Sequence, residues 1–225
     1  MLYRHIESSV DHDKLQQGLL QLEEWAAMWQ TNFAPSKCYI ISIALKRQPS
    51  SFLYTLCNTP LEGVTFQKYL GIYITNSLNW TKQAVEVKKK ANKILGVLPK
   101  NLSSCSAVVK ERAYLSLVRP VCEYRSVAWS PYTQKDIICV ESVQRRAARF
   151  FRNDYCRSSS VNTMLSNLGW QDLETRRKIT DLTTFYKIKT GNVRISFPND
   201  LREVHSPYLR QCTALIPVPA LFIYH

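Results

Sequence analysis

Acidic residues are scarce in this chain. Its 225 residues include 17 Asp and Glu against 30 Lys and Arg, a formal net charge of +13. Glycine is scarce too, at 6, beside 10 prolines. That excludes collagen-like and linker-like composition. No apolar run reaches the ~18 residues of a membrane span. The longest candidate, Leu215 to Tyr224, is broken by Pro217 and Pro219. At the N-terminus Arg4, His5, Glu7, Asp11 and Asp13 interrupt any signal-peptide-like stretch, so an intracellular protein, nuclear or cytoplasmic and not secreted, is expected. The seven cysteines form no C-x-x-C pair, and the expected state is reduced thiols rather than a zinc site or a disulfide framework.

Catalytic signatures are absent as well. Neither G-x-x-x-x-G-K-[ST] nor G-x-G-x-x-G occurs, nor the G-x-S-x-G of a serine nucleophile elbow. His5, His12, His205 and His225 make no metal-binding pair. Two-metal phosphoryl transfer needs clustered carboxylates. The local candidates, Asp11/Asp13 and Glu23/Glu24, read better as helix caps and a solvated face.

What is present is an ordinary globular composition, 45% hydrophobic and 21% charged, long enough for one or two domains. The basic surplus points to a polyanionic partner, nucleic acid before membrane. Residues 9–31 carry a helical pattern in Leu15, Leu19, Leu22, Trp25, Ala26 and Trp29, with Ser9 or Asp11 as cap. Short strand patterns follow at Cys38 to Leu45, Phe52 to Cys57 and Lys68 to Thr75. Helical periods then fill 80–98, 105–118, 133–152, 159–168 and 171–190. The fold class expected is α+β, with an α+β unit over 1–78, a helical unit over 79–192 and an irregular tail over 193–225.

Several segments stand in a recognisable order. Trp25-Ala-Ala-Met-Trp29 leads to Phe33-Ala-Pro35-Ser-Lys37, and about thirty residues later comes Lys68-Tyr69-Leu70-Gly71. Then come Leu117-Val-Arg119-Pro120, Glu123-Tyr124, Trp129-Ser-Pro131-Tyr132, Val143-Gln-Arg-Arg-Ala-Ala-Arg-Phe150, Leu168-Gly169-Trp170 and Arg176-Arg177. Over residues 1 to 195 this order resembles the C-terminal half of the reverse transcriptase, an RNA-directed DNA polymerase and nucleotidyltransferase, of a non-LTR (LINE-like, jockey-type) retrotransposon. The resemblance implies a partial palm subdomain, a helix plus short antiparallel strands, with a primer-grip hairpin, then a helical thumb and extension. It also implies that the sequence starts just after the Ala-Asp-Asp turn whose carboxylates hold two Mg²⁺ ions in the full-length enzyme. Polymerase ancestry with no catalysis by this chain alone, and no cofactor in it, is therefore the expectation.

The resemblance further implies that Lys37 lies near the incoming triphosphate, where a lysine can neutralise or protonate a leaving pyrophosphate. Ala34 stands where the family commonly has Asn, and a solvated turn is the competing reading. Lys68, Tyr69, Leu70 and Gly71 match the primer grip, where a glycine lets backbone approach a phosphate; strand core and a bulge is the competing one. Three consecutive lysines cannot share a helix face, so Lys89 with Lys93, or Lys90 with Lys93, would form a phosphate track. Arg145, Arg149 and Arg152 recur at i, i+4, i+7 and form a second candidate stripe. The five tryptophans could stack on bases but fit core packing better. The partner expected is an RNA or DNA primer–template, with no membrane. The alternatives are a basic helical nucleic-acid-binding module without catalysis, or a helical protein-interaction domain.

Overall fold

A computed structural model describes residues 2–43 and 52–193. It is α+β, and it falls into two compact units that divide between Asn79 and Trp80. Ala44 and Leu45, at the end of the first expected strand, lie outside the described residues, as does the tail expected over 193–225, Val193 aside.

The first unit opens with α1, Ser9–Met28. Ser8 is its N-cap, one residue before the expected Ser9, and the other expected cap, Asp11, closes a capping box with it from the first turn. The Asp11 carboxylate accepts the backbone N–H groups of Glu7 and Ser8 at 3.2 and 3.1 Å and the Ser8 hydroxyl at 3.0 Å. These bonds, led by that from Glu7, hold the Asp11 carboxyl down at about 2. Three two-stranded ladders follow. β1 (Tyr39–Ile40) pairs in parallel with β4 (Glu62–Gly63); β2 (Thr55–Leu56) pairs antiparallel with β3 (Thr59–Pro60), and β5 (Phe66–Tyr69) with β6 (Ile72–Thr75). The all-antiparallel expectation therefore needs correction, because the chain returns to β1 running the same way. Lys68 to Thr75 is also a hairpin rather than one strand. Leu70 and Gly71, at φ 47° and 89°, make the two-residue turn.

α1 is fastened to β2 through side chains. Gln16 Nε2 donates to the Thr55 carbonyl and its Oε1 accepts the Thr55 N–H, both at 3.0 Å, as a neighbouring strand would. Glu23 accepts the Cys57 N–H at 2.6 Å, so this residue of the expected solvated face, while still half-exposed, is also tied to the strand. Tyr54, Leu56 and Leu61 form the buried core of this unit, with Leu15, Leu19, Phe33 and Ile40 against it.

The second unit is helical: α2 (Thr81–Leu102), α3 (Ala107–Ala113), α4 (Arg119–Glu123), α5 (Gln134–Arg152), α6 (Val161–Asn167) and α7 (Leu173–Lys189). α2 and α5 pack on each other through buried apolar residues, mostly alanine and valine, at three- and four-residue steps: Ala84, Val87, Ala91 and Leu95 on α2 and Val140, Val143 and Ala147 on α5. Thr133 caps α5. The Asp136 carboxylate accepts the hydroxyls of Thr133 at 2.8 Å and Thr81 at 2.9 Å, so one buried acid ties the starts of both helices.

α3 and α4 are one helix interrupted by a π-turn, Tyr114–Val118. The expected stop at Val118 is therefore wrong. Pro120 offers no N–H and its ring would crowd the carbonyl four residues back, and the wider turn relieves that conflict without ending the helix. Among the described residues, no helix is long and apolar enough to cross a membrane.

Candidate nucleic-acid interface

The segments that carry the resemblance in the helical unit converge on one buried network. Gln144 is almost fully buried. It accepts the Tyr114 hydroxyl at 3.1 Å, and its amide donates to the Gln171 carbonyl at 2.9 Å and to Glu141 at 3.3 Å. The other Glu141 oxygen accepts the Leu173 N–H at 3.0 Å, at the start of α7. Burial pushes Glu141 above the usual carboxylate range, and this N–H opposes the shift. Tyr114 is driven upward as well, mainly by burial.

Trp170 stacks on Tyr114 with ring centroids 4.5 Å apart, meets Phe151 edge-on, and donates to Glu111 at 2.9 Å. Its position follows from Gly169. At φ +64° that residue closes α6 with a Schellman motif: Trp170 N–H to the Leu165 carbonyl and Gly169 N–H to the Ser166 carbonyl, both 3.0 Å. Arg176 forms a two-pronged ion pair with Glu123, which raises the Arg176 pKa. Arg177 lies over the Trp129 ring at 5.4 Å and donates to the Cys122 carbonyl at 3.4 Å. Its Nε is buried without a hydrogen-bond partner among the described residues, and desolvation lowers its pKa. Trp129 donates to the Tyr124 carbonyl at 2.9 Å. Arg119, Glu123, Trp129, Gln144, Trp170 and the Arg176–Arg177 pair thus belong to the interior of one unit or line its edge.

The basic residues singled out in the sequence divide differently. Lys89, Lys90 and Lys93 are exposed on α2, and Lys89 Nζ pairs with Glu86 at 3.0 Å. In the arginine stripe Arg152 is exposed, while the other two are tied into the fold. Arg145 donates to Asn162 at 2.7 Å, steadying α6. Arg149 donates to the carbonyls of Asp154 at 3.4 Å and Cys156 at 2.8 Å, closing the loop after α5. Sequence spacing passed over Arg146, which is exposed and donates to Asn92 on α2 at 3.2 Å. Asn92 lies one turn from Lys88 and Lys89, so Arg146 extends their positive charge across the α2–α5 seam. Only a contact between helices reveals this.

In the first unit, Lys37 sits in a short 3₁₀ turn, Pro35–Lys37, and Lys68 and Tyr69 at the end of β5. The three residues line one cavity of about 750 Å³. Leu70 and Gly71 form the adjoining turn and do not line it. Of the tryptophans, Trp80 and Trp129 are buried and Trp170 is half-buried, but Trp25 and Trp29 are 51% and 64% exposed, contrary to the expected core packing.

Among the described residues no three His, Cys, Asp or Glu side chains gather where they could hold a metal ion. The carboxylates described do not fit the magnesium pair of a polymerase. No protein-family model, no curated protein and no solved structure matches this chain.

Proposed function

We propose that this chain is the palm-end and thumb portion of a non-LTR retrotransposon reverse transcriptase, and that it binds primer–template by charge, with no catalytic group of its own. The observation that carries the reading is the basic face of the helical unit. Arg146 of α5 reaches Asn92 on α2, one helical turn from Lys88 and Lys89 and next in sequence to the exposed Lys93, with Glu86 paired to Lys89 as the nearby acid. A phosphate backbone is the ligand that rewards closely spaced cations of this kind, through counterion release. The hairpin turn at Leu70–Gly71 supports the primer-grip assignment of Lys68 to Gly71.

The test is fluorescence anisotropy of an RNA–DNA primer–template titrated with the full chain over a range of salt. Affinity should fall steeply and log-linearly with salt. Lys93→Gln with Arg146→Gln should weaken it and reduce the salt slope by about 2. Salt-insensitive or undetectable binding would refute the reading. Template-dependent extension of the primer by this chain would refute its non-catalytic part.

A further inference from the structure

The cavity of the first unit has a composition that nucleic acid does not explain. Its floor is the unit's own apolar core: Leu15, Leu19, Phe33, Leu56 and Leu61 all line it. Its cations are Arg4, Lys37 and Lys68. None of the described lining residues is Asp or Glu. Arg4 is matched by Asp11 at 3.5 Å. Lys37 and Lys68 are exposed, so they belong to the mouth rather than the floor; neither has a carboxylate partner among the described residues, and Lys68 Nζ lies 5.6 Å from the centre of the Tyr73 ring. At about 750 Å³ the space has the size of a small-molecule site rather than of a protein–protein groove.

A largely apolar floor, whose His12 and Tyr54 satisfy each other at 2.6 Å, below two lysines that no carboxylate neutralises is complementary to an amphiphile with a single anionic head. We propose that this cavity binds a long-chain carboxylate. The hydrocarbon chain covers the leucine floor, and the carboxylate is held at Lys37 and Lys68 by charge-assisted hydrogen bonds. The lysine stems are apolar and can lie along the chain while their ammonium groups stay in water at the head. A peptide would need a longer, open groove with backbone donors along it. A phosphodiester would find leucines where it needs cations. This binding needs only the cavity and stands whether or not the chain binds primer–template, although it shares Lys68 with the primer grip proposed above.

The test is displacement of cis-parinaric acid from the full chain, kept below micelle-forming concentrations, by palmitate and by the uncharged hexadecanol. Palmitate should displace the probe at one equivalent per chain, and hexadecanol at least about tenfold less well. Lys37→Gln with Lys68→Gln changes two exposed side chains, so the melting curve should be unchanged, while palmitate affinity falls roughly tenfold and hexadecanol affinity stays put. Absence of saturable binding, equal displacement by acid and alcohol, or a double variant with unchanged palmitate affinity would each overturn the proposal.

Discussion

Replacing Gln144 by Leu probes the centre of the helical unit. The side chains are close in volume, so the change opens little cavity and mainly removes hydrogen bonds. The Tyr114 hydroxyl, on a residue with no exposed surface, loses its acceptor, and the Gln171 carbonyl loses the amide that donates to it. Stranding the buried Tyr114 hydroxyl costs about 1–3 kcal/mol, while Gln171 is exposed, so its carbonyl can turn to water at a smaller cost. Glu141 keeps the Leu173 N–H and is penalised less. The expected loss is roughly 2–4 kcal/mol, a sizeable part of the ~5–15 kcal/mol that holds a typical domain together. Urea unfolding of the full chain followed by circular dichroism measures it. Adding Tyr114→Phe removes one stranded group, so the double variant should recover about 1–2 kcal/mol relative to additivity. Nucleic-acid affinity of the folded Gln144→Leu protein at low temperature should match wild type. A loss under about 1 kcal/mol with strict additivity would show that the network is not what stabilises this unit.

Three further outcomes are expected. Leu70→Gly should raise thermal stability by about 1 kcal/mol, because a leucine at φ 47° is strained where glycine is not, and the side chain it removes is exposed; a fall in melting temperature would contradict this. Burial raises Glu141 above its unfolded value, so its ionised form opposes folding. As pH drops from 7 through that raised value, the melting temperature of the helical unit should climb, and Glu141→Gln should flatten the rise; Asp11, held at about 2, supports α1 across this window and fails only nearer pH 2. Cys156, exposed and with its thiol lowered by the Ser158 hydroxyl, should be alkylated well before Cys122, whose thiol burial pushes up to about 12; mass mapping of iodoacetamide adducts should find Cys122 modified only on unfolding.

The helical half was the more legible part of the sequence. The steps through Ile137, Val140, Val143, Ala147 and Phe150 announced the buried face of α5, and all but the half-buried Ile137 are buried. Periodicity names a face but not what covers it. Leu15 and Leu19 of α1 reach the core, while Trp25 and Trp29, in the same pattern, remain exposed. Spacing also aligned Arg145 and Arg149 as a stripe, yet Asn162 and the Cys156 carbonyl claim them, because a guanidinium is satisfied by whichever acceptor the tertiary fold presents. Arg146 gained its importance from Asn92, far away in sequence. The turn at Leu70 was hidden because leucine carries no turn signal, and only Gly71 beside it hinted at one. Gln16 and Glu23 were unreadable as strand partners, since nothing local marks a helix side chain that completes another segment's backbone bonding.

The π-turn makes chain length, as much as residue type, a determinant of the helical core. Tyr114, Val118 and Cys122 are all fully buried, four residues apart. At roughly 100° per residue, eight residues of regular α-helix overshoot two full turns by about 80°, which would swing Cys122 away from the direction of Tyr114. The widened coil absorbs that excess. Deleting the exposed Leu117 would restore an ordinary spiral and rotate everything downstream, taking Glu123 away from Arg176 and the Cys122 carbonyl away from Arg177. In this stretch the protein should tolerate many changes of side chain and very few changes of count.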